Sequence, residues 1–168
     1  MFLLKLKKAE GKEVMGMKYS VGLLKPECLK RGIEKEVLEA IEAVGLKIVA
    51  IKRVRLTKKE VDVIWASCLT ENFYEELLKF SLSGDCIVFI AKGDDAITRL
   101  NNLVGHREPI RAEKDTIRHR FGRSVTENVI HSTATEDAFW KEVSLFFTPS
   151  ELNRLLSDLE PKEGVSRD

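Results

Sequence analysis

An α+β fold, one small sheet flanked by helices, is predicted by three features of this sequence. Apolar runs at 19–24 and 86–91 have the length of strands. Around them lie segments whose apolar residues recur three and four positions apart, as on one face of a helix. Turn and capping signals separate these segments. The 168 residues, 43% hydrophobic and 33% charged, suffice for one domain with its own core and exclude a disordered chain. A net charge of +1 gives no global field toward nucleic acid or membrane, so charge arguments are local.

The first strand runs from Tyr19 to Leu24, and Lys25-Pro26 ends it, because proline cannot continue a central ladder. Ile33, Val37, Leu38, Ile41 and Val44 mark a helix, with Gly45 as a natural C-terminal cap. Leu46 to Leu56, rich in β-branched residues, reads as a long strand. Thr57 and Glu60 form a capping box that opens the next helix. Phe73, Leu77, Leu78 and Phe80 predict a helix over 71–82, and Ser83-Gly84-Asp85 a turn into the strand that starts at Cys86. Gly93-Asp94-Asp95 opens a helix fixed by Ala96, Ile97, Leu100 and Leu103.

From Gly105 to Glu127 no periodicity is sustained, and an internal loop this long is functional or disordered. Val129-Ile130 is a short apolar patch of strand type. Thr133 and Glu136 suggest a second capping box, opening a helix through Phe147, and Pro149 suits the first turn of a last helix to about Leu159. The order β-α-β-α-α-β-α-loop-β-α-α fits a ferredoxin-like α/β sandwich with a four-stranded antiparallel sheet. One domain is expected over 17–160, with an N-terminal extension at 1–16 and a polar tail at 161–168.

Cys28, Cys68 and Cys86 are scattered and odd in number, which suggests free thiols in a reducing compartment. Lysine interrupts the apolar start of the chain too early for a signal peptide, and no run approaches the ~18 apolar residues of a membrane span. A cytoplasmic location is expected.

Chemistry points to the long loop. Arg107, Arg111, Lys114, Arg118, His119, Arg120 and Arg123 outnumber its acids. Guanidinium forks match phosphate oxygens, although composition alone favours a solvated basic surface. There is no glycine-rich phosphate loop, so side chains must hold any phosphate. Of His106, His119 and His131, which show no metal-ligand spacing, the last follows the apolar pair at a strand end. Glu142, about two turns into the following helix, is placed to accept from one ring nitrogen and leave the other free to attack.

Leu24-Lys25-Pro26-Glu27, Lys30-Arg31-Gly32, Phe73-Tyr74, Ser83-Gly84, Gly105 to Pro109, Thr116-Ile117-Arg118, Phe121-Gly122 and Asn128-Val129-Ile130-His131 resemble, in order and spacing, the nucleoside diphosphate kinase family. The resemblance covers about Lys18 to Phe147. It implies that His131 takes the γ-phosphate of a nucleoside triphosphate and passes it to a diphosphate by a ping-pong route. Glu142 would orient His131, and Lys25, Arg118 and Asn128 would bind phosphate or sugar. Phe73 would stack on the base, and Mg2+ would bridge the phosphates with few or no protein ligands. It further implies a homo-oligomer, a hexamer or else a tetramer or dimer. Several positions depart from the family pattern. Trp65 replaces a tyrosine near the histidine, Asn101 an arginine on phosphate, and Arg107 a threonine on phosphate; Ser132-Thr133-Ala134 replaces Gly-Ser-Asp, and Cys68 and Asn72 break a His…Pro stretch. Asn101 and Arg107 are both expected among the nucleotide-binding residues, with Arg107 supplying, from the loop, the cation missing at Asn101. The alternative is a catalytically weak or inactive nucleotide-binding or regulatory protein on the same fold.

Overall fold

The computed structural model describes residues 16–157. It shows a four-stranded antiparallel sheet in the order β2-β3-β1-β4. The strands are β1 (Tyr19–Leu24), β2 (Lys47–Val54), β3 (Cys86–Lys92) and β4 (Ile130–Ser132). The helices are α1 (Pro26–Lys30), α2 (Glu34–Ala43), α3 (Lys58–Ile64), α4 (Tyr74–Ser81), α5 (Ala96–Val104), α6 (Ile117–Phe121), α7 (Glu136–Phe146) and α8 (Pro149–Leu155). Short 3-10 turns stand at Ala66–Cys68 and Pro109–Arg111. The α+β sandwich expected from the sequence is therefore the fold.

The strand period of two divides the core. Leu24, Phe89, Ala91 and Ile130 face one way, against Cys28 of α1, Val37 and Ile41 of α2, Leu100 of α5 and Ile117 of α6. Tyr19, Val21, Val88 and Ile90 face the other way, against Phe139 and Val143 of α7. Leu23 and Cys86, on that same face, meet Val61 of α3 and Leu77 of α4. All six residues of β1 are buried, as a central strand covered on both faces requires. Gly22 is needed in it, because a β-carbon there would lie 2.4 Å from the Phe89 ring of the paired strand. β1 in turn pairs Leu23 with His131, which fixes where β4 enters the molecule.

Several local expectations are corrected. Pro26 ends β1 but also starts α1, at a helix's first position, where its missing N–H costs nothing. The helix expected over 71–82 begins only at Tyr74. Thr57 and Glu60 cap α3 as expected, the carboxylate accepting from the Thr57 N–H and hydroxyl at 3.3 and 2.9 Å. The second box does not form: Thr133 is buried, and Thr135 caps α7 by accepting from the Ala138 N–H. A box appears instead at Thr148 and Glu151, opening α8, which ends at Leu155 rather than near Leu159. The aperiodic stretch from Gly105 to Glu127 contains α6, capped by Thr116. The extension expected at 1–16, apart from Gly16, and the tail at 161–168 lie outside the described residues. No helix among the described residues is long and apolar enough to cross a membrane.

Candidate active site

A cleft of about 420 Å³ opens beside the end of β1, between the α3–α4 region, the long loop and α7. Its walls include Lys25, Phe73, Arg107, Arg118, Asn128, His131 and Glu142, so seven of the eight residues singled out in the sequence meet there.

The eighth, Asn101, does not line it. Its amide donates to the Thr133 carbonyl at 2.9 Å, and its oxygen accepts from the Ser132 hydroxyl at 2.6 Å. Asn101 is thus spent on holding the segment just after His131.

His131, on β4, is partly buried. Its Nε2 lies 2.9 Å from Glu142 Oε1 on α7, and the Glu142 carboxyl is buried. A carboxylate there accepts a hydrogen bond from Nε2–H, which leaves the lone pair on Nδ1. Trp65, at the end of α3, meets the imidazole edge to face at 5.4 Å.

Lys25 follows β1 and caps α1. Its Nζ donates to Asn128 Oδ1 at 2.6 Å and to the Thr126 carbonyl at 3.1 Å, and it lies 5.5 Å from the centre of the Trp65 ring. Burial, and secondarily the Arg118 guanidinium, bring its pKa down from 10.5 to about 7. Burial likewise lowers Arg118 to about 10. The Asn128 amide donates to the carbonyls of Arg107 and Val125, at 2.9 and 3.0 Å. Arg118 donates to the carbonyls of Gly105 and Ile130, at 3.1 and 2.7 Å, while its Nε is buried without a partner. These two side chains give the aperiodic loop its shape, by tying its start to its end.

Arg107 places its guanidinium 5.9 Å from the centre of the Phe73 ring. The cleft therefore brings together the cations Lys25 and Arg118 and the aromatic face of Phe73, with Arg107 over that ring. A polyphosphate suits the first and a planar base the second. Sequence reasoning passed over Asp137 and Lys141, which also line the cleft. Stepping back from Glu142 at helical spacing finds Ala138, and the neighbouring row holds Asp137 and Lys141, on the same face of α7.

Comparison with known proteins agrees with this geometry. The family model for nucleoside diphosphate kinase matches residues 18–152. A nucleoside diphosphate kinase of Fervidobacterium nodosum is 35% identical over 130 residues, 77% of this chain and 88% of that protein. The structure of a Halobacterium salinarum nucleoside diphosphate kinase in complex with CDP superposes with a TM-score of 0.75 at 28% identity, covering 80% of this chain and 90% of that one. For the apo enzyme of Encephalitozoon cuniculi the TM-score is 0.77 at 24% identity, over 80% of this chain and 92% of that one, a likeness of fold. With the family pattern spanning nearly all of the described chain and its motif residues gathered in one cleft, the protein belongs to the nucleoside diphosphate kinase family.

Proposed function

We propose that the protein moves the γ-phosphate of a nucleoside triphosphate to a nucleoside diphosphate through a phosphohistidine at His131. The observation that carries this reading is the 2.9 Å contact of Nε2 with the buried Glu142, inside a cleft walled by Lys25 and Arg118. In the first half-reaction the Nδ1 lone pair attacks the γ-phosphorus. The bond to the β–γ bridging oxygen breaks, and the diphosphate leaves with that electron pair. In the second half-reaction a terminal oxygen of another diphosphate attacks the same phosphorus, and the N–P bond returns its electrons to Nδ1. Glu142 holds the Nε2 proton throughout and offsets positive charge on the phosphorylated ring. Lys25 and Arg118 offset charge on the phosphoryl oxygens.

Among the described residues no three His, Cys, Asp or Glu side chains come together as a metal site. The phosphate end of the cleft presents cations and amides, a donor set that suits the phosphates of a magnesium–nucleotide complex, with Mg2+ arriving as part of the substrate. Stacking on Phe73 gives little discrimination between bases, since every base has a π-face. Self-association belongs to the same reading, with Ile51 on the edge strand β2 (52% exposed) and Ile110 on the long loop (94% exposed) as apolar surface. The free cysteines fit a cytoplasmic location.

Trp65 against the imidazole and the turned-away Asn101 favour a second reading, a slow or silent nucleotide binder. Incubation with γ-labelled ATP and magnesium, followed by a chase with a second diphosphate, separates the two. Acid-labile label that chases onto the diphosphate is expected. Bound ATP with no label would give the second reading, and label that does not chase would require another acceptor.

Arg107 and Asn101 should behave differently. Arg107→Ala is expected to weaken nucleotide affinity about tenfold to hundredfold, the range for losing one charge-assisted contact. Asn101→Ala should lower thermal stability and leave affinity within about threefold, because its hydrogen bonds serve the backbone after His131. Calorimetric titration and thermal melts of both variants measure this; equal, small changes in affinity would remove Arg107 from the site.

A further inference from the structure

Glu27 is an acid that the proposed reaction leaves without a task. It lies in the first turn of α1, two residues after Lys25, and does not line the cleft. Its side chain is buried, 4% exposed, and burial pushes its carboxyl pKa up. Oε1 accepts the Val129 N–H at 2.6 Å. Oε2 lies 3.5 Å from Nη1 of Arg31, and that nitrogen also donates to the Phe121 carbonyl at 2.7 Å.

Val129 stands at φ 77°, in the left-handed region, which a β-branched residue adopts only when its surroundings impose it. Its carbonyl accepts the Lys25 N–H at 2.9 Å. The segment 25–27 therefore grips both backbone groups of Val129. On one side of this grip is Asn128, bonded to the Lys25 ammonium; on the other is Ile130, where the strand of His131 begins.

We propose that Glu27 is a positioning residue: its buried carboxylate holds the Val129 peptide in the left-handed turn that sets Asn128 against Lys25 and aims β4 so that His131 faces the phosphates. The inference rests on the phosphohistidine reading of His131. Without the carboxylate the Val129 N–H is buried and unpaired, and valine relaxes toward negative φ. The shift passes directly to Asn128 and His131. Phe73 has no hydrogen bond to the clamp, while Arg107 meets it only through its carbonyl, which accepts from the Asn128 amide at 2.9 Å.

Glu27→Ala is expected to lower kcat by about 10²-fold, the scale of a displacement near 1 Å at a reacting centre, with a smaller rise in KM through Asn128. Glu27→Gln keeps an acceptor for the Val129 N–H and should retain most of the rate. In the Glu27→Ala background, Val129→Gly should recover kcat, since glycine takes a positive φ without a clamp, although the protein loses a buried valine and melts lower. A merely structural Glu27 gives the opposite pattern: fewer folded molecules, unchanged kcat per folded molecule, and no recovery by glycine. That pattern overturns the proposal. Amide exchange at Val129 reads the clamp apart from catalysis: protection in the wild type and in Glu27→Gln is expected, and fast exchange in the wild type overturns the clamp. Absence of phosphohistidine on the wild type, with Val129 protected, would instead defeat the reading of His131.

Discussion

His131→Ala is expected to take no acid-labile phosphate and to lose turnover by on the order of 10⁴-fold or more, the scale on which removing a nucleophile acts. The other nucleophilic side chains of the cleft do not have the same support. The Thr135 hydroxyl is engaged in capping α7, accepting from Ala138 N–H at 3.1 Å. Cys68 pairs with the neighbouring Ser67 hydroxyl at 3.9 Å. Among them only the imidazole has a buried carboxylate fixing one nitrogen and freeing the other. Glu142→Gln gives a finer probe. The amide oxygen still accepts from Nε2, so the tautomer survives, but no negative charge faces the phosphorylated ring. A fall of about tenfold to hundredfold follows, by the usual worth of a hydrogen bond to a charged group. Quenched-flow labelling of the wild type and both variants measures these effects. Label on His131→Ala would place the phosphate on another residue and sink the mechanism.

Much of the fold could be read from patterns local in sequence. The largely apolar run of β1, the β-branched β2 and the Thr57–Glu60 box all specify their structure locally. Mistakes arose where one residue type serves two roles. Pro26 both stops a strand and starts a helix, and only its role as a stop was read. Thr133 and Thr135 compete to cap α7, and burial of Thr133 under β1, whose Val21 carbonyl accepts its N–H, settles the competition in favour of Thr135.

The site divides in the same way. His131 and Glu142 are eleven residues apart, on a strand and the helix that follows it, so their meeting was legible. The expectation that Asn101 lies in the cleft rests on the arginine that the family resemblance implies at that position. An amide is shorter than an arginine and finds the Ser132 hydroxyl and the Thr133 carbonyl close by. The clamp on Val129 joins residues 102 apart, and nothing in valine's identity announces a positive φ. The shape of the long loop was hidden for a related reason: its order comes from Arg118 and Asn128 bonding to backbone carbonyls, which leaves no periodic trace.

Lys25→Met should cut kcat/KM by about 10²–10³-fold, the loss typical of removing one donor to developing oxyanion charge. The pH dependence identifies the cause. With its pKa near 7, the ammonium of the free protein is charged below neutrality and neutral above it. An anionic nucleotide is captured by the charged form, so wild-type kcat/KM should fall as pH rises from about 6 to 8.5, and this limb should vanish in Lys25→Met. Stability moves in the opposite sense. Between about 7 and 10.5 the unfolded chain keeps the lysine proton and the folded chain has lost it, so the folded state gains stability with rising pH through that window. Below about 7 both states carry the charge, and the folded state bears the full cost of burying it. Urea melts at pH 7 and pH 10 should therefore show the wild type gaining on Lys25→Met by on the order of a few kcal/mol. Taking the difference between the two proteins cancels Cys28, whose thiol burial pushes up to about 12, whereas Cys86, raised to about 12 chiefly by burial, also feels Lys25 and cancels only in part. A parallel pH dependence in wild type and variant would mean that Lys25 carries its charge throughout, held by Asn128 and the Thr126 carbonyl against the cost of burial. The falling limb of kcat/KM would then belong to another group.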